Sequence, residues 1–351
     1  MSDPLDQIDD VDNLQKYKDA GLIATKAVNN IVKNAKPGTK LVSLITGANE
    51  VLKSELANVH KDIKDKGILF PICLSLNNVV GHNIPGPNDI LKEGDLLKID
   101  LGVQIDGFPA QIAFTTLIKK EDNQLIPKGD KRANVMRAVI EASREIGKVM
   151  KPGIMNTEIV KIMEQTAKKY GCYLPISNEN GVIPGVNSYQ ISRYIIDGHT
   201  DDDCEFVHRF IMARENTAYD FSLMSLPLDE NEVYAIDIVM CSGTGKLNQI
   251  KETNIFKRNY ERRCELKSKS SKTVLNNIKD KYPIILDTQD LKVKIGLKEC
   301  LNKGLINAYP IVAEKEGEYT ARIKFTIVVK DKPILICGKH ADQELEKLEK
   351  I

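Results

Sequence analysis

The chain has 351 residues, 42% of them hydrophobic and 28% charged, with a formal net charge of +1. That length buries a large core, as one α/β domain or as two halves, and that composition excludes a disordered chain. Near-neutrality removes a global charge argument for nucleic acid and leaves only a local patch to carry one. The seven cysteines (Cys73, Cys172, Cys204, Cys241, Cys264, Cys300 and Cys337) are scattered, odd in number and without a CxxC pair. They point to reduced thiols in the cytosol or nucleus and away from a zinc knuckle or a disulfide scaffold. The acidic start MSDPLDQIDDVDN lacks a basic segment followed by an apolar one, so no signal peptide is expected. No apolar run approaches membrane-spanning length.

Residues 1–13 read as a flexible acidic arm. Over 14–35, Leu14, Tyr17, Leu22, Val28, Ile31 and Val32 recur near helical spacing, and Lys36-Pro37-Gly38 stops the helix. Proline cannot continue a helix and glycine suits the turn that follows. Thr39 precedes a second helix to about residue 63; 70–78 is a strand candidate and the proline-bearing 81–88 a loop. The stretch LLKIDLGVQIDGFPAQIAFTT over 96–116 reads as two strands joined by a turn at Asp106-Gly107. Asp100 stands in the middle of its apolar run, where an acid without a partner is costly. Either backbone N–H groups or a lysine hold it, or it is a metal ligand, and the residue alone leaves both open.

The pattern then restarts. A helix over 130–150 is stopped by Lys151-Pro152-Gly153, Asn156 is a candidate N-cap for a helix over 157–170, and 172–176 is strand-like. Later, VYAIDIVM over 233–240 again sets an aspartate, Asp237, after an isoleucine inside a buried run. Helix, Lys-Pro-Gly, helix and a strand with a central aspartate thus occur twice, the mark of an internally duplicated α/β unit. Two equivalent strands facing a common cleft bring Asp100 and Asp237 together, which invites a cation or protonates one of them.

Between these strands and the end lies a different piece. Over 254–281, Lys257, Arg258, Arg262, Arg263, Lys267, Lys269, Lys272, Lys279 and Lys281 stand against only Glu261, Glu265 and Asp280, with Phe256 and Tyr260 interleaved. A solvated helical face has this composition too. In a nearly neutral chain, however, such segregation favours an RNA-contacting surface. YTARIKFTIVVK over 319–330 is a strand of alternating polarity, and 341–351 a charged helical tail. His60, His199, His208 and His340 show no ligand spacing, and Ser242-Gly243-Thr244-Gly245-Lys246 lacks P-loop spacing.

Four long motifs carry a family resemblance: FPICLSLNNVVGH over 70–82, KIDLGVQIDGFPAQIAFT over 98–115, VYAIDIVMCSGTGK over 233–246 and EGEYTARIKFTIVV over 316–329. They resemble the type 2 methionine aminopeptidase family, and within it most of all the proliferation-associated, Erb-receptor-binding protein family of non-catalytic relatives. The resemblance runs in order over nearly the whole chain. It implies an α/β fold of the pita-bread (aminopeptidase/creatinase-like) class, with internally duplicated α-α-β units around a central cleft. That domain spans 14–340, with a helical basic insert over 254–306.

Active members of the family hold two divalent metals with two aspartates, a histidine and two glutamates. Asp100 matches the first aspartate, Gln111 stands at the second, Tyr189 at the histidine, Asp237 at the first glutamate and Lys324 at the second, bridging one. The resemblance therefore implies a vestigial metal site, with no metal, no cofactor and no catalytic residue. In it the Lys324 ammonium supplies the charge a metal would have supplied and pairs with Asp100 and Asp237. Coulomb terms at that range are roughly 4 kcal/mol for an adjacent pair at intermediate dielectric, and they oppose a cation entering beside it. His82 matches a histidine that contacts substrate; without metal-activated water it is a satisfied histidine at a pocket rim.

The resemblance further implies a monomeric, membrane-independent protein of the cytoplasm, with the nucleus and nucleolus as further compartments. It would bind structured RNA and the large ribosomal subunit, rRNA and proteins together, near the peptide exit, and act in translation. Lys257, Arg258, Arg262, Arg263, Lys267, Lys269 and Lys272 are the contacts expected. The alternatives are a metal-dependent methionine aminopeptidase and a ribosome-biogenesis or export factor of the same fold. Animal members of the family carry a lysine-rich C-terminal tail; ADQELEKLEKI has no such run, so roles attributed to that tail are not carried over.

Overall fold

The computed structural model describes residues 8, 10–119, 129–175, 188–197, 210–211, 225–260, 262–278 and 282–338. The elements run α1 (Val11–Asn34), α2 (Leu41–Asn58), β1 (Lys66–Leu76), β2 (Leu96–Ile105), β3 (Phe108–Leu117), α3 (Lys131–Val149) and α4 (Asn156–Lys169). Next come β4 (Ser188–Ile191), β5 (Phe210–Ile211), β6 (Val233–Cys241), β7 (Asn248–Lys251), β8 (Ile255–Arg258), α5 (Lys269–Asn277) and β9 (Ile284–Ile285). The chain closes with α6 (Leu291–Asn302), β10 (Ile306–Ala308), β11 (Ile311–Ala313), β12 (Thr320–Val328) and β13 (Ile334–Leu335).

Local chemistry sets the boundaries. Asp10 caps α1 by accepting the Asp12 N–H, so the last three residues of the expected arm are helical; 1–7 and 9 lie outside the described residues. Both Lys-Pro-Gly stops end in a left-handed glycine, Gly38 at φ +90° and Gly153 at φ +87°. The β2–β3 turn places Asp106 and Gly107 at φ +54° and +82°, the two positive φ values that a tight hairpin turn needs. Asn156 is the first residue of α4 and not its cap, which is Met155. Its side chain instead donates to Phe210 O and accepts from Leu226 N, both at 3.1 Å, tying the helix start to a distant segment. Tyr173 makes a single bridge to Cys241, so the expected strand over 172–176 is absent among its described residues; residue 176 and the tail over 341–351 lie outside them.

Among the described residues the main sheet has the order β1-β2-β3-β12-β6-β4-β5, with β13 paired to β12. The central strands are buried along their whole length, and their alternation sorts the side chains. Leu97, Ile99, Leu101 and Val103 of β2 and Ala110, Ile112 and Phe114 of β3 share one core with α1 and α2. Ile323, Phe325 and Ile327 of β12 and Tyr234, Ile236 and Ile238 of β6 share another with α3 and α4. This is the duplication read from the sequence, helix pair over strand pair, twice. The two halves lie side by side in one sheet, however, with β3 and β12 as the seam, and not as strands facing one another. The alternate positions form the opposite face, which is buried and polar.

The piece over 254–306 has its own core of Phe256, Leu266, Val274, Ile278, Leu297, Cys300, Leu305 and Ile306. It is not purely helical: β10, β8 and β9 form a three-stranded sheet beside α5 and α6. Among the described residues no helix is long and apolar enough to cross a membrane.

Candidate functional site

Cross-strand register assembles the site. Asp100 on β2 lies opposite Ala113 on β3, Ala113 opposite Lys324 on β12, and Lys324 opposite Asp237 on β6. Paired residues point to one face, so Asp100, Lys324 and Asp237 stand in one transverse row. Gln111 pairs with Gly102 and Tyr189 with Ala235, each two residues along its strand from that row and hence on the same face. The five positions singled out in the sequence therefore come together. Tyr189 Oη donates to Gln111 Oε1 at 3.4 Å, and Lys324 Nζ lies 3.5 Å from the same oxygen and 3.1 Å from Asp237 Oδ2. Gln111 Nε2 donates to Ile196 O at 2.7 Å.

The cation that joins the two aspartates is a different one from that expected. Arg322, two residues before Lys324 on the same face of β12, grips Asp237 with both prongs, Nε to Oδ1 at 2.8 Å and Nη2 to Oδ2 at 2.6 Å. Its third nitrogen, Nη1, donates to Asp100 Oδ2 at 2.7 Å. The Arg322 side chain has no exposed surface. Forked, charge-assisted pairing of this kind is the strongest a guanidinium makes with carboxylates. Lys324 adds a second positive charge at Asp237 but is not the keystone. Burial alone would lift the Asp237 carboxyl, yet Arg322 and Lys324 together hold it below the ordinary aspartate range. Arg322 itself is held above its ordinary value by Asp100 and Asp237, against the pull of burial. The sequence signal for Arg322 is its period-two relation to Lys324; its fit against Gly81 appears only in the fold. A β-carbon at Gly81 would stand 2.2 Å from Arg322 Nη1.

These donors do not fit a pair of divalent metals. A fixed guanidinium lies against both carboxylates and an ammonium stands beside Asp237, so an entering cation meets two positive charges. Gln111 offers a neutral amide. Burial first, then Asp197 and Asp237, push the Tyr189 phenol well above its ordinary value and keep it protonated. Among the described residues no three His, Cys, Asp or Glu side chains gather as a metal cluster.

His82 is fully enclosed and not at a rim. Its Nδ1 is 3.0 Å from Pro310 O and its ring packs between Phe70 and Tyr309, with centroids 5.5 and 5.6 Å away. Burial and the nearby Arg322 lower its pKa to about 4, so it is neutral at physiological pH. A further buried lysine, Lys98, whose burial lowers its pKa well below the ordinary lysine value, donates to Asn77 O at 2.6 Å, Thr320 O at 3.0 Å and Leu96 O at 3.3 Å, stapling the end of β1 to the starts of β2 and β12.

The basic segment divides. Arg262, Arg263, Lys267, Lys269 and Lys272 are exposed. Lys257 is buried on β8 and paired with Asp197, which also accepts from Tyr309 Oη, so it is not available to an external phosphate. Arg258 is half-buried, donates to Leu275 O at 3.0 Å and lies across the Tyr260 ring at 5.1 Å. Phe256 belongs to the core of this piece, and Lys279 and Lys281 lie outside the described residues.

Comparison with known proteins agrees with this architecture. The model of metallopeptidase family M24 matches residues 15–209. ERBB-3 binding protein 1 of Solanum tuberosum is 32% identical over 342 residues, covering 94% of this chain and 82% of the relative. Proliferation-associated protein A of Dictyostelium discoideum is 30% identical over 334 residues, covering 92% and 81%. The solved structure of a thermophilic Arx1 shares the fold at a TM-score of 0.75 with 21% identity, over 93% of this chain and 91% of that one.

Proposed function

The chain belongs to metallopeptidase family M24, with the pita-bread fold and proliferation-associated relatives, and we propose that it is a non-catalytic member that works by binding RNA and ribosomes. One observation carries the loss of catalysis: Arg322 bridges Asp100 and Asp237, and so satisfies the carboxylates that a metal would need. Without a metal to activate water, His82, buried and neutral, cannot carry out the hydrolysis by itself.

Binding then falls to the surface. Arg262, Arg263, Lys267, Lys269 and Lys272 are exposed cations in one short run of sequence, here called the basic strip, on a separately cored piece of a nearly neutral protein. Such a strip tracks phosphates and fixes position without reading sequence. Its partner in this reading is the large ribosomal subunit near the peptide exit, in keeping with the family resemblance, and its setting is translation.

The test has two arms. Cosedimentation with ribosomes over a salt series is expected to weaken and flatten when Arg262→Glu and Arg263→Glu are combined; an unchanged series overturns the surface. Purified protein given cobalt, manganese or zinc is expected to leave methionyl peptides intact. Stoichiometric metal with turnover overturns the non-catalytic reading.

A further inference from the structure

Tyr260 is half-exposed, at 50% of its surface, at the end of β8, inside the basic strip. Single exposed aromatics are ordinary on protein surfaces; this one is built upon. The Arg258 guanidinium lies across its ring at 5.1 Å and is itself pinned by the Leu275 carbonyl at 3.0 Å. The backbone beside it is fixed as well, since Asn259 N donates to Leu305 O at 2.9 Å. A ring backed by a held cation, with Arg262 and Arg263 two and three residues further on, has the make-up of an aromatic platform with cationic arms.

The geometry points to Tyr260 as a stacking site for one unpaired nucleobase of an RNA whose flanking phosphates lie on Arg262, Arg263 and Lys267. This rests on the RNA-binding reading above and sharpens it: the preferred ligand is a bulge or loop, and not an uninterrupted duplex. In an A-form helix the bases are stacked on one another and the deep groove is closed to side chains, so a protruding tyrosine finds a face only where a base is splayed out. Arg258 adds to the platform from beneath, because a guanidinium polarises the ring it backs.

The experiment compares two RNA hairpins with the full chain, one carrying a single unpaired purine and one fully paired, by fluorescence anisotropy at fixed salt. The unpaired position is also made with 2-aminopurine, whose emission falls on stacking. The native protein is expected to bind the bulged hairpin at least about fivefold more tightly and to quench the 2-aminopurine, as stacking one base requires. Tyr260→Ala removes both the preference and the quench and leaves binding to the paired hairpin unchanged. Tyr260→Phe and Tyr260→Trp keep both. Arg262→Glu with Arg263→Glu weakens both hairpins alike.

Equal binding of the two hairpins by the native protein, or a preference that survives Tyr260→Ala, overturns the stacking site while leaving the RNA-binding reading standing. Absence of binding to either hairpin overturns both.

Discussion

Gly81 and Arg322 are fitted to one another: a β-carbon at Gly81 would stand 2.2 Å from the guanidinium Nη1 that holds Asp100. The contact is at the far end of a side chain, but that end is fixed by three hydrogen bonds to two carboxylates and has nowhere to retreat. Gly81→Ala is therefore expected to destabilise the fold by about 1–3 kcal/mol, the usual cost of overpacking a closed site. Urea denaturation measures it. A loss within error of zero means that the guanidinium is mobile and that the keystone role assigned to it is wrong.

Removing Arg322 probes the same cluster from the other side. Arg322→Met leaves Asp100 and Asp237 buried with Lys324 as the remaining cation of the row. Breaking a buried ion pair by deleting one partner costs about 3–5 kcal/mol, and that loss is expected here. Arg322→Lys keeps the charge, gives up the fork and falls between the two. By contrast, Lys324→Glu alone, which puts a carboxylate where the family resemblance expects a bridging one, still leaves the guanidinium on both aspartates. Calorimetric titration with manganese is expected to show no site in that variant, and tight binding would place the obstacle at Lys324 and not at Arg322.

Much of this was legible in the chain, and the reason it stopped where it did is physical. The Lys-Pro-Gly stops, the hairpin turn and the two central aspartates are local signals, and each holds in the structure at the place read. Arg322 is not legible as a site residue, because a charged residue in an alternating strand ordinarily faces water. Here both faces of β12 are covered, one by α3 and the other by the segments around Gly81. The same blindness affected Lys257: a run of cations fixes net charge, whereas the pairing of β8 with its neighbours and the position of Asp197 decide which cation is used up inside. Gln111, Tyr189 and Lys324 were identifiable only through the resemblance, since nothing local marks a neutral amide as the occupant of a carboxylate's place.

Acid sensitivity follows from His82. Burial and Arg322 lower its folded pKa to about 4, against about 6.5 in an unfolded chain. Between those values the unfolded state binds the extra proton, so stability is complete above pH 6.5 and falls as the pH drops toward 4. The slope is about 1.4 kcal/mol per pH unit, about 3 kcal/mol in all. Asp237 acts lower still: its folded pKa is depressed, so its contribution is present above the unfolded aspartate value and lost as the pH falls through the folded one. Because His82 sits at φ +60°, asparagine is the gentlest replacement. The difference in unfolding free energy between native protein and His82→Asn is expected to change between pH 7 and pH 5 by roughly 2 kcal/mol. A constant difference would remove His82 as the titrating group.

Lys257 and Arg263 make the last contrast, because they are alike in sequence and opposite in place. Lys257 is a buried strut from β8 to Asp197, and Asp197 also takes the Tyr309 hydroxyl, whose ring packs against His82. Lys257→Met strands that carboxylate and is expected to cost several kcal/mol of stability, on the order of 3, while leaving the salt dependence of ribosome binding unchanged at a temperature where the variant is folded. Arg263→Gln has the reverse signature. It removes one exposed cation with no measurable effect on unfolding, and it lowers the slope of log affinity against log salt by a little under one. Cosedimentation across a salt series, read beside thermal unfolding of each variant, separates them. If Lys257→Met flattens the salt series as much as Arg263→Gln does, the buried residue also reaches phosphate, and the division of the basic segment into a strut and a strip fails.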